Sequence, residues 1–73
     1  MTLDEPFVFL DLTEERPYLV RQEGPQVWLY YWHPSKTWVT LRPIRDEVEL
    51  AAMQARKLPK EKAKLYDSIG IFG

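Results

Sequence analysis

One histidine, His33, two serines, Ser35 and Ser68, and eleven carboxylates are the whole stock for nucleophilic, general-base or metal chemistry in this chain of 73 residues, which has no cysteine. Catalysis needs a nucleophile beside an oriented base, a phosphate-cradling glycine loop, or a cluster of metal ligands. His33 and Ser35 flank Pro34 in what reads as a turn, Ser68 lies in the final segment, and one imidazole among scattered acids is a poor zinc site. This inventory argues against an enzyme and against a bound metal or cofactor. Aromatic residues are concentrated instead: VWLYYWHPSKTWV, residues 27–39, holds all three tryptophans and two of the four tyrosines. Tyrosine, tryptophan and arginine are the types enriched where proteins anchor partners, so the chemistry points to binding.

The elements that must position these rings are legible in the punctuation. Pro6 leads into FVFLDL, a short β-favouring run that predicts a strand over 7–12. After Pro17, YLVRQ predicts a second, and Glu23-Gly24-Pro25-Gln26 is turn chemistry. VWLYYW and TWVTLR are the third and fourth, joined by His33-Pro34-Ser35-Lys36. Beyond Pro43 the period changes: Ile44, Val48, Ala51, Ala55 and Leu58 recur at helical spacing and predict one amphipathic helix ended by Pro59. KEKAKLYD has the composition for one further helical turn, and SIGIFG is an apolar tail. The expected fold is α+β: a three- to four-stranded antiparallel meander packed on one C-terminal helix in a single domain, 1–58, followed by a mobile basic and apolar tail, 59–73.

A chain this small has barely enough core for independent stability. The five acids in its first fifteen residues and the lack of a long apolar run argue against a leader or a membrane span, and the lack of cysteine fits the cytosol. Charge is unevenly spread. Residues 1–26 carry six acids against Arg16 and Arg21, a net −4, whereas Arg56, Lys57, Lys60, Lys62 and Lys64 cluster around Glu61 alone. Such a distribution suits a partner with both signs of charge.

If the aromatic hairpin turns on Pro34-Ser35, Trp32 faces Thr37 and Tyr31 faces Trp38. Side chains alternate along a strand, so Trp28, Tyr30, Trp32, Val39 and Leu41 would then share the face buried by the helix. Val27, Leu29, Tyr31, Trp38, Thr40 and Arg42 would form a second, partly wet face. A bulge would swap these assignments. The candidate contacts on the sheet are Tyr18, Tyr31, Trp38 and Arg42. Asp4, Glu5 and Phe7 form a candidate acidic and aromatic contact at the head, and Lys57, Lys60, Lys62 and Lys64 a basic one that can follow RNA phosphates or an acidic protein surface.

YYWHPSKTWVTLRP is similar to part of a WW domain in its aromatic pair, His-containing turn and following proline. Its turn is shorter, however, the gap from Trp38 to Pro43 is wider, and no signature tryptophan lies about twenty residues before Trp38. Stacking aromatics beside basic residues also permit a nucleic-acid-binding module, which the acidic head opposes. Over its full length, through MTLDEPFVFLDL, VWLYYWHPSKTWV and ARKLPKEKAKLY, the chain resembles the small RNA polymerase-binding transcription regulators of Xanthomonas lytic phages. That resemblance implies a monomeric protein of the host bacterial cytoplasm. It implies binding to the β′ subunit of RNA polymerase at its N-terminal segment near the RNA exit channel, inhibition of σ-dependent initiation, and suppression of intrinsic termination. Exiting RNA and elongation factors are the further partners it brings into view.

Overall fold

The computed structural model describes residues 1–11, 13 and 16–66. Four strands, β1 (Phe7–Leu10), β2 (Pro17–Glu23), β3 (Gln26–His33) and β4 (Thr37–Pro43), form one antiparallel sheet in the order β1-β2-β3-β4. Helix α1 spans Glu47–Gln54, a short α2 spans Lys60–Ala63, and Lys64–Tyr66 adds a 3-10 turn. The α+β meander expected from the turn spacing is therefore the fold. The expected end of the first strand at Leu12 and the SIGIFG tail lie outside the described residues.

Two tight connections set the register. Between β2 and β3, Gly24 adopts φ 61 and Pro25 follows it, leaving Glu23 paired with Gln26. A proline locked at negative φ excludes the type I′ turn, so the glycine supplies the single positive φ of a type II′ turn. Between β3 and β4 the loop has three residues. Lys36 sits at φ 65 and its N–H donates to the His33 carbonyl at 2.8 Å, the arrangement of a turn closed by one left-handed residue. His33 accordingly pairs with Thr37 and Trp32 with Trp38. This corrects the expected register by one residue and moves Trp38 to the Trp32 face and Val39 to the other. A bulge then follows. Tyr30 pairs with Thr40 but Leu29 with Arg42, which leaves Leu41 as the extra residue on β4, half exposed rather than buried.

Both faces of the sheet are covered, and this is the main departure from a sheet packed on one helix. On one face Phe7, Phe9, Val20, Val27 and Leu29 pack with Ile44 and with Leu50 of α1. On the other Val8, Leu19 and Tyr30 pack with Ala63 of α2, joined by Trp28, Trp38, Leu58 and Tyr66. Helix α1 thus covers the Val27 and Leu29 side, not the Trp28, Tyr30 and Trp32 side. The basic segment expected as a mobile tail from residue 59 enters the fold at once, because Ala63 and Tyr66 seat on the sheet; residues 67–73 lie outside the described region.

Helix α1 is shorter than expected and rotated. Asp46 caps it in an extended conformation, its carboxylate accepting the Glu49 N–H at 2.9 Å. Just before the cap, the Ile44 N–H donates to the Val27 carbonyl at 2.8 Å, and after the helix Lys57 bridges to Phe9 while the Leu58 N–H donates to Val8 at 2.8 Å. Ile44 and Leu58 are therefore extended anchors on the sheet rather than helical residues. Held at both ends, α1 turns Leu50 and Met53 inward, and Val48, at 79% exposure, outward with Ala51 and Ala55. Burying two alanine methyls offers too little to oppose the anchors.

A candidate protein-binding groove

Because α1 is short, it leaves part of its own face of the sheet open. The result is a groove of about 340 Å³ between α1, β1, β2 and the bulged part of β4. Phe9 and Tyr18 stack on its floor at 5.4 Å and 21°, with Leu29, Leu41 and Met53 around them. Tyr31 is the cross-strand partner of Tyr18 and extends the aromatic row to β3, where its ring lies 6.4 Å from His33. Asp11 and Arg56 also line the groove, so its margin carries both signs of charge.

One wall is held by an ion pair. Arg42 of β4 donates to a Glu49 carboxylate oxygen at 2.6 Å, the same oxygen accepts the Arg45 N–H at 3.2 Å, and the Arg42 guanidinium also reaches the Pro43 carbonyl at 3.2 Å. The Arg42 hydrogen bond, aided by the Arg45 N–H, holds Glu49 below its ordinary value of 4.5 despite partial burial. Arg42 is thus first a tie between β4 and α1. A carboxyl with a lowered folded-state pKa stabilises above its unfolded pKa and loses that contribution as pH falls through the folded one. Glu49→Gln is expected to cost about 1 kcal/mol at pH 7, or roughly 5 °C in Tm. Melting curves from pH 7 to pH 3 check this: the difference between the variant and the native chain should shrink at the acidic end.

Tyr18, Tyr31 and Arg42 are brought together on the α1 face. Trp38 is not: it lies on the opposite face, its ring centroid 4.8 Å from Trp32 and 6.5 Å from Tyr66, its indole N–H buried without an acceptor among the described residues. The extra loop residue Lys36 is the cause. At the head, Asp4 and Glu5 are exposed beside a shallow polar recess with Gln54 and Lys57, and the Leu3 N–H, tied to the Gln22 side chain at 2.8 Å, holds the approach to β1. Phe7 lines the same recess but offers little area to a partner. It is 3% exposed, since β1 is buried on both faces. Lys57, Lys60, Lys62 and Lys64 are all exposed. Lys60 approaches Glu5 at 3.6 Å, so basic and acidic segments meet. The last three lysines ride on the segment that covers the tryptophan face, behind the groove.

His33 and Ser35 meet inside their turn. The Ser35 N–H donates to His33 Nδ1 at 3.1 Å, and the Ser35 hydroxyl lies 2.8 Å from both that nitrogen and the Thr37 hydroxyl. An Nδ1 that accepts a backbone N–H leaves the neutral ring's proton on Nε2, and the chain of contacts closes the loop. Elsewhere, burial and then the Glu23 carboxylate push the Tyr30 phenol above its ordinary value, while the Arg21 guanidinium, paired with Glu23, lies 5.4 Å from the Tyr30 ring centre.

Phe9, Leu41, Met53 and Glu49 are groove residues that reasoning from the sequence missed. The DEVE stretch, with Asp46 three residues before Glu49, is a capping signature that could have located the start of α1 and hence the wall. No helix among the described residues is long and apolar enough to cross a membrane. Comparison with protein families, with characterised proteins and with solved structures gives no match for this chain.

Proposed function

We propose that this chain is a non-enzymatic regulator that binds bacterial RNA polymerase in the host cytoplasm, at the N-terminal region of β′ near the RNA exit channel, inhibiting σ-dependent initiation and preventing intrinsic termination. The observation that carries a binding role is the open aromatic groove, in which Tyr18 stands on the sheet beside α1, with its cross-strand partner Tyr31 next to the groove on β3. The choice of polymerase as partner rests on the full-length resemblance. In this reading a basic, amphipathic polymerase segment is steered by Asp4 and Glu5, and a ring or aliphatic side chain enters the groove. Charge mainly sets the rate of approach, and the buried anchor sets residence time. Lys57, Lys60, Lys62 and Lys64 remain available to exiting RNA or to an acidic polymerase surface.

The test is capture of purified RNA polymerase by the native chain and by Ala52→Trp, which fills the groove from an exposed helix position. Nuclease-resistant capture by the native chain, mapped to β′ and weakened about tenfold or more by Ala52→Trp, is the expected outcome, since a blocked anchor pocket costs at least 1.4 kcal/mol. Capture abolished by nuclease would favour the nucleic-acid-binding reading, which the exposed lysines support.

A further inference from the structure

The two edges of the sheet differ. The outer edge of β1 is covered by the Phe9 to Lys57 bridge and by the Leu58 N–H on Val8. Among the described residues nothing pairs with the outer edge of β4, whose sole sheet neighbour is β3. The three-residue turn makes His33–Thr37 and Tyr31–Val39 the hydrogen-bonded pairs of the hairpin. Trp38 and Thr40 therefore turn their N–H and C=O groups outward, two donors and two acceptors in a row. The Leu41 bulge limits this free stretch to Thr37–Thr40. Half-buried Trp38 and Val39 stand on either side of it, and Leu41 is 49% exposed at its end.

We infer that this edge is a second docking surface, which takes an extended segment of a partner protein as a fifth strand, with acidic residues flanking an apolar or β-branched centre. Charge selects that occupant. Residues 34–45 contain Lys36, Arg42 and Arg45 and no acid, and Glu49 draws on only two of the three. A second copy is disfavoured by the same charges. In an antiparallel pair of β4 strands centred on Val39, Lys36 at one end of each free stretch would come close to Arg42 just past the end of the other, and like charges brought together repel. Main-chain pairing supplies the affinity in such additions, and alternate side chains supply the selectivity. The surface adjoins the Tyr18 groove at Leu41 and Arg42, but its free hydrogen-bonding stretch, Thr37–Thr40, lies outside that groove, and the inference stands whether or not the polymerase reading does.

The probe is a short acetylated peptide of alternating valine and threonine with aspartates at both ends, its control the same peptide with lysines in their place. Titrated into the full chain, the acidic peptide is expected to shift the amide resonances of Thr37–Thr40 and to slow hydrogen exchange at the Trp38 and Thr40 N–H groups. Thr40→Pro removes one outward donor without touching the β3–β4 ladder and should weaken binding roughly tenfold, while Thr40→Ala retains it. Several results would overturn the inference: equal binding of the lysine peptide, shifts confined to the Tyr18 groove, equal affinity of Thr40→Pro, or dimerisation of the free chain through β4. Exchange at Trp38 and Thr40 in the free chain as slow as at Val39 would do the same, because the edge would already be paired.

Discussion

Leu19→Ala is expected to lower the stability of the domain by about 3 kcal/mol and its Tm by more than 10 °C, against a total of roughly 4 to 11 kcal/mol for a chain of this length. Leu19 is fully buried in the middle of β2, between Val8 and Tyr30 on its neighbouring strands. Its face is closed by Ala63, a residue too small to shift into the void. The cavity therefore stays, and the loss of transfer free energy is added to the loss of contacts around it. Trp32, which the alternation along β3 marks as core, is only half buried at the hairpin end, so Trp32→Ala should cost distinctly less. Chemical denaturation of the two variants side by side checks the order. A Trp32→Ala variant less stable than Leu19→Ala would place the centre of the core elsewhere.

Tyr31→Ala should weaken polymerase binding on the order of 30-fold, the effect of removing an anchor worth about 2 kcal/mol, with little change in Tm. The ring is half buried beside the groove, and among the described residues its aromatic contact is the exposed His33. Trp38→Ala should do the opposite. That side chain fills the space between Trp32 and Tyr66 on the other face, so its removal loosens the seat of the 3-10 turn and lowers Tm while the affinity per folded molecule holds. Surface binding measured alongside circular dichroism melts separates the two variants. If Trp38→Ala lost affinity in a folded protein and Tyr31→Ala did not, the docking face would be the tryptophan side.

The strands were readable because Gly24-Pro25, Pro34-Ser35 and Pro43 mark their ends and β-branched or aromatic residues fill them. What escaped was a single residue of register. A lysine in the left-handed region lacks the glycine or asparagine that normally announces such a turn, and nothing local marks Leu41 as a bulge. Together they decide on which side Trp38, Val39 and Leu41 lie, and so half of the candidate site. The run FVFL, without alternation, was itself a sign that β1 is buried on both faces, which a sheet covered on one side cannot provide. The helical spacing from Ile44 to Leu58 misled for a different reason. Periodicity reports what a helix would bury if free to rotate, and hydrogen bonds from Ile44 and Leu58 to the sheet remove that freedom.

The cover that Lys57 and Leu58 place over β1 also governs how large any assembly built through the sheet can become. Fibrils and other open polymers need every subunit to offer two complementary edges, one to receive and one to extend. Here a strand added at β4 meets no reciprocal template across the molecule, so growth ends after one step. With the cover in place, a sheet rich in tryptophan and valine can expose an edge in a crowded cell without seeding a chain reaction.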